Sequence, residues 1–117
     1  MPLILIYDTE TTGCPGLKDL TYKKHRIIQL AIRCKQTDQT FQTLVRPTDK
    51  FGKQLHIPES STQCHGITDQ DVAEEKEWDE VFRLMFRFVQ SQCSVTGSES
   101  VVWIAHNNHG FDEIIFR

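Results

Sequence analysis

Asp8 and Glu10 stand two positions apart, inside the hexapeptide Asp8-Thr9-Glu10-Thr11-Thr12-Gly13 and directly after the apolar run Leu3-Ile4-Leu5-Ile6-Tyr7. Five apolar residues in succession predict a strand buried on both faces, the condition of a central strand in a layered α/β sheet. Side chains alternate along a strand, so Asp8 and Glu10 share one face, roughly 6.5–7 Å apart in rise, while Thr9 points to the other. Two carboxylates at the C-terminal end of a central strand, where α/β sheets place their ligands, suit a hard, oxygen-seeking cation such as Mg²⁺ or Mn²⁺. In isolation an Asp-x-Glu tripeptide is more often a polar strand end running into a turn. The chemistry therefore needs further carboxylates.

One comes from the far end of the chain. Val101-Val102-Trp103-Ile104-Ala105 reads as a second buried strand, followed by the polar turn His106-Asn107-Asn108-His109-Gly110. Phe111, Ile114 and Ile115 then fall at i, i+3, i+4, one face of a helix packing back on the sheet. Asp112 sits in its first turn, where an acid complements the helix dipole without any metal. Between these ends, Gln63-Cys64-His65-Gly66-Ile67-Thr68 reads as a turn and then a helix. Gly66 supplies backbone freedom and Thr68 caps a helix begun by Asp69, Gln70 and Asp71.

Taken together, these segments resemble the motifs of the DEDD superfamily of 3′-to-5′ exonucleases, within the ribonuclease-H-like superfamily. The hexapeptide resembles the first motif, and Ala105-His106-Asn107 with Phe111-Asp112 resembles the second. His65-Gly66-Ile67-Thr68 is similar to a segment common in these nucleases. The spacing from His106 to Asp112 resembles that of the three-prime repair branch. The resemblance implies an α/β fold, a ribonuclease-H-like mixed sheet with flanking helices, occupying residues 1–117 as one domain. It implies hydrolysis of the terminal phosphodiester at 3′ ends of DNA or RNA, single strands favoured, with two Mg²⁺ or Mn²⁺ ions. Asp8 would bridge the ions, Glu10 would hold the one on the nucleophile side, and Asp112 would support the other. Thr9, Thr11, Thr12, Cys64, His65, Asn107 and Phe111 would surround the terminal nucleotide.

The family also carries a His-x-x-x-x-Asp segment, which supplies a general base and a fourth carboxylate. None occurs here: the residues five after each histidine are Leu30, Ser61, Gln70, Phe111 and Ile114. His106 and His109 belong to the second motif's turn and are not expected to replace the base. The resemblance thus implies a C-terminally incomplete exonuclease fold, weakly active and prone to self-association, or completed by a partner such as a polymerase. A degenerate nucleotide-binding or nucleic-acid-binding module and a regulatory interaction domain are the alternatives.

Composition narrows the setting. A net charge of −3 argues against broad binding along a duplex, which calls for a basic face, though not against gripping a strand end. Lys23-Lys24-His25-Arg26, the basic run, reads as a solvated loop. Cys14, Cys34, Cys64 and Cys93 are scattered without a C-x-x-C pair, which predicts neither a zinc site nor a disulfide framework and fits an intracellular, reducing setting. The N-terminal apolar run is too short for a signal peptide, and no apolar segment approaches membrane-spanning length.

The remaining pattern predicts strands over residues 26–35 and 39–46, joined as a hairpin through Thr37-Asp38-Gln39. Residues 47–61 are expected to be irregular, and 94–100 a connector. Trp78, Val81, Phe82, Met85, Phe88 and Val89 recur at helical spacing and are expected to pack in the core.

Overall fold

The computed structural model describes residues 1–13 and 26–106. Asn107, Phe111, Asp112 and the helix expected after residue 110 lie outside the described residues. Four strands, β1 (Leu3–Thr11), β2 (Ile27–Cys34), β3 (Thr40–Leu44) and β4 (Val101–Ala105), accompany three helices, α1 (Glu59–His65), α2 (Asp69–Val72) and α3 (Trp78–Thr96). The sheet runs in the order β3-β2-β1-β4. β2 lies antiparallel to β1 and β3, whereas β4 runs parallel to β1, with Leu3 opposite Val101 and Tyr7 opposite Ala105. This mixed sheet with flanking helices is the α/β architecture expected.

The hairpin forms where the sequence places it. Asp38 adopts a positive φ of 60°, a conformation that Asp tolerates better than most residues, and its N–H donates to the Cys34 carbonyl. The Thr37 hydroxyl reaches Gln92, which ties the hairpin to α3 through a buried amide.

β1 departs from the expected burial. Leu3, Leu5, Tyr7, Thr9 and Thr11 are buried, but Ile4, Ile6, Asp8 and Glu10 are only half-buried. Among the described residues the cover lies on one side: α3 lays Val81 and Met85 against Leu3, Leu5, Tyr7, Leu30 and Ile32. Each such aliphatic side chain, fully buried, contributes on the order of 1.5–3 kcal/mol. On the opposite face, Val102 and Ile104 of β4 are exposed.

α3 carries most of the expected stripe, with one correction. Phe82 is 49% exposed, lying beside the Trp78 ring at the edge of the contact and outside the core. Helical spacing defines a stripe but not its width, and the packed seam is the narrower line through Val81, Met85, Phe88 and Val89. The helix also extends to Thr96, into the expected connector, and ends at Gly97.

A second correction concerns residues 47–61. α1 begins at Glu59, directly after Pro58, which suits a helix start because its missing N–H is not needed there. It ends at Gly66, whose φ of 76° is the left-handed conformation open to glycine, with the N–H returning to the Thr62 carbonyl. α2 follows with the expected Thr68 cap, completed as a reciprocal box with Asp71.

Between Glu10 and Thr11 the β1–β2 register shifts: Glu10 opposes Gln29 but Thr11 opposes Ile27. Ile28 is thus the extra residue of a bulge. Ile27 packs in the main core, while Ile28 joins Ile57, Ile67 and Val72 in a second cluster that supports α1 and α2. Bulges of this kind re-aim a strand end. Here the re-aimed segment follows the two carboxylates.

Candidate active site

Asp8 and Glu10 share the half-buried face of β1, as their alternation requires. Asp8 lines a recess of about 210 Å³ together with Ile6, Ala31, Arg33, Gln42 and His106. His106 arrives there because its N–H donates to the Tyr7 carbonyl at 2.7 Å, extending the β1–β4 pairing by one residue and bringing it alongside Asp8. The sequence assigns His106 to the second motif's turn. Its place in the same recess as Asp8 is a result of strand register.

Thr9 turns to the α3-covered face and is buried, so its side chain lies on the opposite side of the strand from the carboxylates. Thr11 and Thr12 are each 5% exposed, and their groups are engaged in holding the turn. The Thr11 hydroxyl accepts from the Gly13 N–H at 3.0 Å. Thr12 clasps the start of β2 twice, donating its N–H to the Arg26 carbonyl and accepting the Arg26 N–H on its hydroxyl.

α1 holds the same turn from outside the sheet. Ser61, with 1% exposure, donates its hydroxyl to the Thr12 carbonyl at 2.7 Å. One helical turn later, His65 Nε2 lies 3.2 Å from the Thr11 carbonyl. His65 Nδ1 accepts the Ile67 N–H at 3.0 Å, so the ring proton resides on Nε2 and is donated to Thr11. Burial lowers the His65 pKa from its ordinary 6.5, with the bond to Thr11 acting in the opposite direction. Both ring nitrogens are therefore committed to backbone groups. Ser61 was not among the residues singled out from sequence, and only its i, i+4 relation to His65 hints at a shared role.

Cys64 corrects the cysteine reading. It is disulfide-bonded, whereas Cys34 and Cys93 are free thiols. Spacing along the chain does not show which residues meet in space.

A larger cleft of about 540 Å³ lies elsewhere, lined by Arg26, Arg46 and Lys50 and by Asp49, Glu77 and Asp79. Arg46 stands 4.0 Å from Glu77. Among the described residues three cations and three acids line it in balance.

The donor set suits a divalent cation. Two carboxylates on one half-buried face provide the hard oxygens such an ion prefers. Among the described residues no group of three or more potential ligands is gathered. Asp112, the third carboxylate expected, lies outside them.

The exonuclease family model, of the ribonuclease T type, matches residues 5–116, a span that includes both Asp8–Gly13 and Ala105–Asp112. This chain belongs to that exonuclease family. Its α/β sheet with flanking helices is the ribonuclease-H-like architecture of such nucleases. Family membership makes the chain a hydrolase of the nuclease type with nucleic acid as its substrate, and divalent metal ions are the cofactors such enzymes generally use. No match was found among curated proteins. Among the described residues no helix is long and apolar enough to cross a membrane.

Proposed function

We propose that the exonuclease works in the 3′-to-5′ direction, releasing terminal nucleotides from single-stranded DNA or RNA with Mg²⁺ or Mn²⁺. The observation that carries this reading is the pairing of Asp8 and Glu10 on one half-buried face at the C-terminal end of β1, beside a recess. Asp8 and Glu10 are the residues that would hold the metal, joined by Asp112 on the strength of its motif. Bound divalent ions supply charge neutralisation at the scissile phosphate and a hydroxide equivalent at neutral pH.

The protein's own part is positional. β1 presents the two carboxylates from a rigid central strand, and the braced turn at Thr11–Gly13 fixes the backbone that follows. A recess of this size favours an unpaired terminal base over one held in a duplex. Asn107 and Phe111 would line the pocket by motif, and the His106–Asp112 spacing favours the three-prime repair branch.

Oligonucleotides labelled at either end test this reading. With Mn²⁺, stepwise shortening from the 3′ end, lost in Asp8→Asn, is expected. Shortening from the 5′ end, or cutting of a circular strand, overturns the assignment. Metal-dependent mononucleotide binding without turnover selects a binding module instead.

A further inference from the structure

We propose that Ser61 and His65 are positioning residues for the Asp8–Glu10 pair, acting as a two-point brace from α1 onto the consecutive carbonyls of Thr12 and Thr11. The proposal rests on the metal-site reading above and adds the residues that set its geometry.

Three observations support it. Ser61 and His65 stand on the same face of α1, four residues apart, and each reaches a carbonyl of the segment directly after Glu10. The brace is rigid at its base, because His65 Nδ1 is held by the Ile67 N–H and Ile67 is packed with Ile28, Ile57 and Val72. The pairing is irregular at this place: the extra residue Ile28 of β2 shifts the register between Glu10 and Thr11. A strand end at a register shift is defined in part by contacts from outside the sheet. Ser61 and His65 supply them, and residues that orient metal ligands from behind typically govern affinity by about 10–100-fold.

The two nitrogens of His65 allow a test that separates positioning from folding. In His65→Gln the side-chain amide nitrogen takes the place of Nε2 and keeps the donor to Thr11. In His65→Asn the amide oxygen takes the place of Nδ1 and keeps the acceptor for Ile67, but nothing reaches Thr11. Mn²⁺ alone is titrated into wild type and both variants by calorimetry, at a temperature where thermal melts show all three folded. His65→Asn is expected to weaken Mn²⁺ binding about 10-fold, with His65→Gln within about 3-fold of wild type. Ser61→Ala should resemble His65→Asn. Mn²⁺ affinity equal in all the proteins, or equally weakened in His65→Gln and His65→Asn, overturns the brace while leaving the metal site standing. A wild-type protein that takes up no Mn²⁺ overturns the metal-site reading itself, and the brace with it.

Discussion

The Ser61 hydroxyl donates to the Thr12 carbonyl at 2.7 Å, joining residues 49 apart in sequence, and both residues are buried. This bond closes α1 onto the end of the carboxylate-bearing strand. It forms just past the end of β1, where the Thr12 N–H still donates to the Arg26 carbonyl while the Thr12 carbonyl takes a side-chain donor.

Removing that donor leaves a buried carbonyl without its partner. Ser61→Ala is expected to lower stability by about 1–3 kcal/mol, the cost of one unsatisfied buried group. Urea denaturation measures it. A midpoint equal to that of wild type would show that water replaces the hydroxyl without loss.

Acid should loosen the same region. The His65 pKa is lowered by burial, so the folded state resists protonation more than the unfolded chain does. The stability held by neutral His65 is complete above pH 6.5, the ordinary value, and is lost as the pH falls below it and through the lowered value. Protonation places a hydrogen on Nδ1, which then cannot accept from Ile67. Thermal melts between pH 7.5 and 4.5 should show a decline that is absent in His65→Gln. Parallel pH profiles for the two proteins would exclude His65 as the source.

The carboxylate pair should affect stability through bound metal. Asp8 and Glu10 share one half-buried face, where a cation that binds only the folded chain would stabilise it. Asp8→Asn is expected to leave the melting temperature of the metal-free protein unchanged, and to abolish any rise on adding Mn²⁺. A metal-free Asp8→Asn protein that melts well below wild type would assign Asp8 a structural role.

Ile28 offers a test of the second cluster. Truncating this fully buried side chain in Ile28→Ala should cost about 2–5 kcal/mol. Phe82→Ala, at a position 49% exposed, should cost less. Equal losses, measured by urea denaturation, would mean that the cluster beneath α1 and α2 collapses around the cavity.

How much of this was legible depends on the range of each interaction. The shared face of Asp8 and Glu10 follows from strand alternation, and the Thr68–Asp71 cap from a pattern three residues long. The stripe through Val81 and Met85 is likewise local. His65 stands out in the sequence, but its brace with Ser61 does not, because that depends on which carbonyls the two reach, across 54 and 49 residues. The exposure of Phe82 was hidden because periodicity reports a direction and not the width of the surface opposite. The Cys64 disulfide was hidden for the reason that the brace was: loops meet by topology, not by spacing. The half-open face of β1 misled because an unbroken apolar run reads the same whether one or two layers cover it.

The bulge at Ile28 sends two successive side chains of β2 into two different apolar clusters. One residue earlier, Ile27 belongs to the core beneath α3; Ile28 itself belongs to the cluster under α1 and α2. Among the described residues the short helices meet the sheet through Ile28, the half-buried Leu44 and the hydrogen bonds to Thr11 and Thr12, and α1 carries a further tie in the disulfide of Cys64. An opening of this small cluster ahead of the α3-covered sheet is what hydrogen exchange on warming would detect. The end of β1 that carries the carboxylates would then fray before the protein unfolds. The working temperature of the enzyme would be set by the holdfast at that strand end, not by the strength of its main core.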